Sequence, residues 1–154
     1  AVEIDGEAYW DGGYMGNPPI FPLIYGTDVE DVVIVQINPI EIRSVPRSAL
    51  EILDRMNDLS FNSSLMREMR AIAFVKRLLR EHSVPRGRYK DLKIHTIEAE
   101  REMDGLGYSS KLNADAKFLE WLFALGRAKA HAFLAAHFDQ IGVESSTDIE
   151  ARFL

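Results

Sequence analysis

The sequence contains no cysteine. It can therefore form no disulfide bond, offers no thiolate ligand to a metal ion and has no cysteine nucleophile, and this lack fits a reducing compartment. Basic residues are also few, with 18 Lys and Arg against 24 Asp and Glu, which gives a net charge of -6. Because nucleic-acid binding relies on a basic surface, this balance predicts no nucleic-acid partner.

Long hydrophobic runs are missing as well. No apolar stretch approaches the roughly 20 residues that a helix needs to cross a bilayer, and no basic-then-apolar signal opens the chain. We predict no transmembrane segment and favour a cytoplasmic or membrane-peripheral location. With 154 residues, 47% of them hydrophobic, the chain is long enough for a single domain with its own core.

Histidines are scarce and scattered. The sequence has four, at positions 82, 95, 131 and 137. His131 and His137 share a predicted helix, but six residues separate them by about 240° around its axis, so they cannot face one ion together. The sequence therefore predicts no metal site and no cofactor.

The first forty residues predict a β-hairpin and a strand. Residues 1–10 alternate in apolar character around Asp5-Gly6, a pair suited to a tight turn. Residues 31–38 form a nearly unbroken apolar run that Pro39 ends, which is typical of a strand covered on both faces in an α/β sheet. The chain opens in strand-like alternation without an initiator Met, and we expect it to be part of a longer protein.

Two helices are predicted next. Ser48 and Glu51 have capping-box spacing, which favours a helix that starts there and ends near Asp58. Polar residues at positions 62–64 are cap candidates for a second helix, which extends to about His82. One face of this second helix is basic and is either solvated or a docking surface for a protein or an anionic lipid; it carries Arg70, Lys76, Arg77 and Arg80.

The last sixty residues predict a short strand followed by helices. Residues 92–99 have strand character, and residues 114–141 read as one helix or as two helices that abut at Gly126. A last short helix follows Ser145 and Asp148, which have capping-box spacing. A row at helical spacing is expected in the core, namely Phe118, Trp121, Leu122 and Leu125.

The stretch YWDGGYMGNPP places Asp11 between two aromatic residues and the pair Gly12-Gly13. It follows a predicted strand, so the carboxylate is expected at the rim of a sheet, where ligands of open α/β sheets bind. The residues alone fit a structural turn and a catalytic carboxylate, and a turn is the commoner use of Asp-Gly.

A wider pattern surrounds this motif. Asp11-Gly12-Gly13 is followed by Asn17-Pro18-Pro19-Ile20, by Pro22-Leu23 and by the strand over residues 32–38. This order resembles the second catalytic block of patatin-like phospholipases. The segments SFNSSLMREMRAI and SSKLNA are similar to those of a bacterial branch of that family.

The resemblance implies that Asp11 is the carboxylate of a serine–aspartate dyad, supported by Gly12 and Gly13. In such a dyad the carboxylate takes the proton of the serine hydroxyl without an intervening imidazole. The family's Gly-x-Ser-x-Gly nucleophile elbow occurs nowhere in residues 1–154. We therefore expect the serine in an N-terminal half of the same protein.

The implied fold is the C-terminal part of a three-layer α/β/α hydrolase. Residues 1–45 would end its catalytic core, and residues 46–154 would form a mainly helical C-terminal region of the same single domain. The implied function is hydrolysis of a lipid or acyl ester by the intact protein, with this chain inactive alone and a second copy as a further candidate partner. The alternative is a non-catalytic binding or scaffold domain that presents the basic helix to a protein or lipid surface.

Overall fold

The structure is a computed structural model that describes residues 1–42, 44–85 and 87–154. Strands and helices are mixed along the chain, in agreement with the predicted α/β class. In chain order they are β1 (Val2–Ile4), β2 (Glu7–Tyr9), α1 (Phe21–Gly26), β3 (Asp31–Gln36), α2 (Ala49–Arg80), β4 (Lys93–Glu98), α3 (Glu100–Met103), α4 (Ala116–His137) and α5 (Ile149–Phe153).

The predicted N-terminal hairpin is present. β1 and β2 pair antiparallel, with Val2 opposite Tyr9. Asp5 and Gly6 have φ angles of 53° and 82°, the left-handed conformation that a tight hairpin turn requires. Every strand residue of the hairpin is exposed, so it contributes nothing to the core.

A two-stranded parallel sheet of β3 and β4 carries the core. Val32 pairs with Ile94, and α2 makes the crossover between the strands. One face of β3 is buried, whereas Val33 and Val35 on the other face are 45% and 67% exposed. The expectation that this strand is covered on both faces was wrong, because α4, which packs on the outer face, covers His95 of β4 and leaves Val33 and Val35 exposed.

α2 is one continuous helix of 32 residues, and the prediction of two helices was wrong. The predicted Ser48–Glu51 capping box begins it. The polar residues expected to start a second helix lie inside α2, where Asn62 and Ser64 form hydrogen bonds to backbone groups outside the helix. Asn62 Nδ2 donates to Pro39 O at 2.7 Å, and Ser64 Oγ bonds the backbone of Asn17.

The core forms where the C-terminal half of α2 packs on the sheet and on α5. Met69 of α2 and Ile94 of β4 are fully buried, and Phe153 of α5 is 1% exposed. The cluster consists of Ile20, Val32, Ile34, Leu65, Met69, Ile72, Ala73, Leu92, Ile94, Ile149 and Phe153.

α4 passes through Gly126 without a break, so the two-helix alternative was wrong. The prediction that its aromatic row lies in the core was also wrong. Trp121 is 43% exposed, and Phe118, Leu122 and Leu125 are half-buried. The helix packs on β4 near its C-terminal end, where Phe133 is buried against His95 with ring centroids 6.2 Å apart. The described residues contain no helix that combines the length and apolar character needed to cross a bilayer.

The predicted last helix is α5, with Asp148 as its N-cap. Asp148 accepts the Ala151 N–H at 3.0 Å, whereas Ser145 accepts the Ile94 N–H at 3.1 Å. Thr147 N donates to Ile94 O. The segment before α5 is therefore bonded to the free edge of β4 rather than used as part of the cap.

Asp31 joins this segment to the sheet. Its Oδ1 accepts the Gly142 N–H at 2.7 Å and lies 3.1 Å from Nε2 of the buried His95. The Gly142 hydrogen bond is the main cause of a lowered Asp31 pKa, to which His95 and Lys93 also contribute against the opposing effect of burial.

Asp31→Asn tests this link. Because the Asp31 pKa is lowered from 3.8 in the fold, its ionised form stabilises the fold above that pH, and the contribution is lost as the pH falls through the folded pKa. We expect Asp31→Asn to lower the free energy of unfolding by about 1–2 kcal/mol at pH 7, and the difference to shrink below pH 3.8. Urea titrations at pH 7 and at a pH below 3.8 measure this difference, with Asp28→Asn at an exposed position as control. An equal loss at both pH values would contradict the electrostatic origin.

Candidate functional site

Asp11 lies where the hairpin ends. Residues 12–14 form a single 3-10 turn, and Asp11 is its N-cap, a position that favours Asp because its short carboxylate reaches the free N–H groups. Oδ1 accepts the Gly13 N–H at 2.8 Å. The side chain is exposed, and no described residue donates a hydrogen bond to Oδ2. The carboxylate is thus held from one side and is accessible from the other.

The two glycines after Asp11 differ in their surroundings. A Cβ on Gly13 would stand 3.1 Å from Asp11 Oδ1 and 3.1 Å from Phe61 Cε1, so a side chain there would push on both. A Cβ on Gly12 would meet nothing within 4 Å in the described residues. Gly13 is therefore the glycine that allows the close approach to the Asp11 carboxylate.

α2 anchors this loop. Asn17 N donates to Ser64 Oγ at 2.8 Å, and the Tyr14 ring lies 6.3 Å from that of Phe61. On the other side of the loop, Trp10 meets Tyr14 edge-on at 5.7 Å. A buried hydroxyl and an aromatic contact thus fix the position of Asp11 relative to the long helix.

An open groove adjoins the Asp11 loop, and we call it the Asp11 groove. Its volume is about 410 Å³, which is within the range of small-molecule sites. It is lined by Gly12, Met15, Gly16, Pro19, Phe21, Ser64, Arg67, Glu68 and Ala71. The lining is mainly apolar, with one cationic and one anionic side chain from α2.

The other sequence-based candidates lie elsewhere. Among the described residues no serine hydroxyl is hydrogen bonded to Asp11, and no group of three His, Asp or Glu side chains is placed to hold a metal ion. On the basic face of α2, Lys76 pairs with Asp91 at 2.7 Å and Arg80 with Glu150 at 3.0 Å. That face is therefore partly neutralised within the chain.

Sequence reasoning missed a serine–histidine–aspartate contact. His95 Nδ1 lies 2.9 Å from Ser146 Oγ, while its Nε2 faces Asp31. The three residues are far apart in sequence: the parallel register of β3 and β4 brings Asp31 to His95, and the hydrogen bonds of residues 145 and 147 to Ile94 bring Ser146. The His95 ring is 0% exposed, and Ser146 does not line the Asp11 groove, so this contact fits a structural role.

A second cavity lies beyond the carboxyl ends of β3 and β4, and we call it the sheet-end cavity. Its volume is about 360 Å³. The loop after β3, the start of α2 and residues 103–107, 110 and 111 form its walls. Asp11 does not line this cavity. Lys111 does, and its Nζ lies 5.7 Å from the ring of Phe61, the residue that contacts the Asp11 loop.

No family model, curated protein or solved structure matches the chain. What can be argued about function therefore comes from the Asp11 motif, its setting and the two cavities.

Gly13→Ala and Gly12→Ala form a matched pair at this site. We expect Gly13→Ala to lower the free energy of unfolding by about 1–3 kcal/mol, because its methyl group must displace Phe61 or the Asp11 carboxylate. Gly12→Ala should change it by less than about 0.5 kcal/mol, as is usual for open surface sites. Thermal unfolding of both variants measures this, and equal effects would contradict the close packing at Gly13.

Proposed function

We propose that residues 1–154 are the C-terminal part of a patatin-like serine hydrolase that cleaves lipid acyl esters. Asp11 is the general base, and the nucleophilic serine comes from residues upstream of this chain. The observation that carries the proposal is the exposed Asp11 carboxylate, held by Gly13 N beside a mainly apolar groove.

The setting of Asp11 suits a base that works on a hydroxyl brought from outside the chain. Oδ1 is oriented by the Gly13 N–H at 2.8 Å, so the side chain is positioned before a partner arrives. Oδ2 is open to an approaching hydroxyl. A base with this orientation needs only one hydrogen bond from a serine to complete the dyad.

The exposed outer face of β3 supports a longer catalytic core. Parallel sheets are normally covered on both faces, yet Val35 and Ile37 are 67% and 64% exposed on or just after β3. Upstream strands and helices of the same protein would pair with β3 and cover this apolar face. This arrangement would give the three-layer α/β/α fold.

The proposed reaction has two steps. Asp11 accepts the serine proton while the serine oxygen attacks the ester carbonyl carbon, and collapse of the tetrahedral intermediate expels the alcohol, which takes the proton. Water then attacks the acyl-enzyme with Asp11 again as base, which releases the fatty acid and restores the serine. The Asp11 groove accommodates part of the lipid, and the exposed Met15 and Phe21 in its lining give the acyl chain an apolar surface.

Asp11→Asn in the full-length protein tests this function. We expect kcat for a short acyl ester to fall by about 10²–10⁴-fold, the contribution of a general base. The matched control is Asp5→Asn in the Asp-Gly turn of the preceding hairpin, where Asn tolerates the positive φ of 53°. Unchanged activity in Asp11→Asn, or an equal loss in Asp5→Asn, would overturn the proposal.

Covalent labelling separates the proposed serine from Ser146. A fluorophosphonate should label a serine upstream of this chain, and Ser146→Ala should keep full esterase activity. A label mapped to Ser146 would move the active site to the His95 contact. If the full-length protein has no activity and takes no label, these results favour a non-catalytic binding or scaffold domain. The double variant Arg70→Gln, Arg77→Gln should then weaken binding to a protein or an anionic vesicle.

A further inference from the structure

The first three turns of α2 have their polar face turned inward. Asp54, Arg55 and Asp58 line the sheet-end cavity together with Glu51 at the helix start. The outer side of the same turns exposes large apolar residues, namely Leu50, Leu53, Met56 and Leu59, each more than half exposed. A helix placed only by the hydrophobic effect would be turned the other way, so the inward charges need a reason.

The Arg55 guanidinium provides a reason for the inward charges. Its Nη1 is buried and has no hydrogen-bond partner in the described residues. A buried donor without an acceptor costs about 1–3 kcal/mol, and more when it is charged. A ligand in the cavity that accepts a hydrogen bond from Arg55 Nη1 would therefore be favoured.

Asp58 adds a requirement for a hydrogen-bond donor. Burial raises its pKa, against the effects of Lys111 and Arg55, which favour the ionised form. A perturbed carboxyl in a cavity at the carboxyl ends of parallel strands is typical of a ligand site. Its oxygens can accept hydrogen bonds from a bound donor.

The charges in the cavity restrict the ligand. Among the described residues that line the cavity, carboxylates outnumber cations, with Glu51, Asp54, Asp58 and Asp104 against Arg55 and Lys111, so an anion is disfavoured. An ammonium group would suit the carboxylates but has no lone pair for Arg55. A hydroxyl both accepts and donates, and two adjacent hydroxyls can meet Arg55 and Asp58 together.

Besides the polar Asn38, Ser44 and Ser110, the cavity has a set of apolar wall residues, namely Ile37, Ile42, Val45, Met103 and Leu106. We propose that the sheet-end cavity binds an uncharged amphiphile whose polar end carries adjacent hydroxyl groups, with its apolar chain against these residues. This site is separate from Asp11 and does not depend on the proposed function. Gly107 keeps it open, because a Cβ there would stand 3.0 Å from Asp54 Oδ2.

Three probes with the same eight-carbon chain test the polar end. They are 1-O-octylglycerol, whose ether bond resists hydrolysis, nonanoate and octyltrimethylammonium, each titrated calorimetrically into the full-length protein below micelle-forming concentrations. We expect 1-O-octylglycerol to bind about tenfold more tightly than either charged probe, the effect of one additional satisfied hydrogen bond to a charged group. Equal binding of the three, or no binding of 1-O-octylglycerol, would overturn the proposal.

Two variants locate the binding. Arg55→Met keeps the aliphatic stem and removes the donors, and we expect at least a tenfold loss of 1-O-octylglycerol affinity, with Arg70→Met on the exposed part of α2 as control. If Arg55→Met does not fold, a diazirine derivative of 1-O-octylglycerol should cross-link to the wall residues 37–39, 42, 44–46, 103–107, 110 or 111. Cross-links elsewhere, or unchanged affinity in folded Arg55→Met, would contradict the site. Asp11→Asn should bind normally, so loss of the hydrolase proposal would leave this result intact.

Discussion

The parallel pairing of β3 with β4 is the constraint on which the rest of the structure depends. Parallel neighbours need a long crossover, and α2 supplies it by covering one face of the sheet with Leu65, Met69 and Ile72. The same pairing sets Asp31 beside His95, which joins residues 142–147 to the sheet edge. The core, the long helix and the C-terminal segment thus follow from one strand register.

A second cluster of polar contacts fixes the carboxyl end of the sheet. Glu100 Oε1 accepts hydrogen bonds from Gln36 Nε2, from the Ile40 N–H and from Arg152 Nη2 at 3.1–3.2 Å. These contacts hold the loop after β3, the start of α3 and α5 against one another. The sheet-end cavity is therefore bordered by a fixed frame, which is the kind of support that a preformed binding site needs.

Local signals in the sequence were sufficient for the hairpin, the Ser48–Glu51 cap, both strands of the parallel sheet and α5, because each depends on neighbours within a few residues. Local signals failed at residues 62–64, which were predicted as helix caps but lie inside α2 and form long-range hydrogen bonds such as that from Asn62 to Pro39. They also failed at Trp121, since apolar spacing does not say whether a partner surface is present. The Asp11 loop was found from its motif. The inward Arg55 could not be predicted, because only the packing shows which side of α2 faces the sheet-end cavity.

Phe61 contacts both the Asp11 loop and a residue of the sheet-end cavity. One edge of its ring limits the space at Gly13, next to the Asp11 carboxylate, and Lys111 of the sheet-end cavity lies over the ring. A ligand that displaced Lys111 would act on the same ring that confines the Asp11 loop. Thermodynamic linkage makes any such effect on equilibrium binding reciprocal, so occupancy of the Asp11 groove would change affinity at the sheet-end cavity by the same factor.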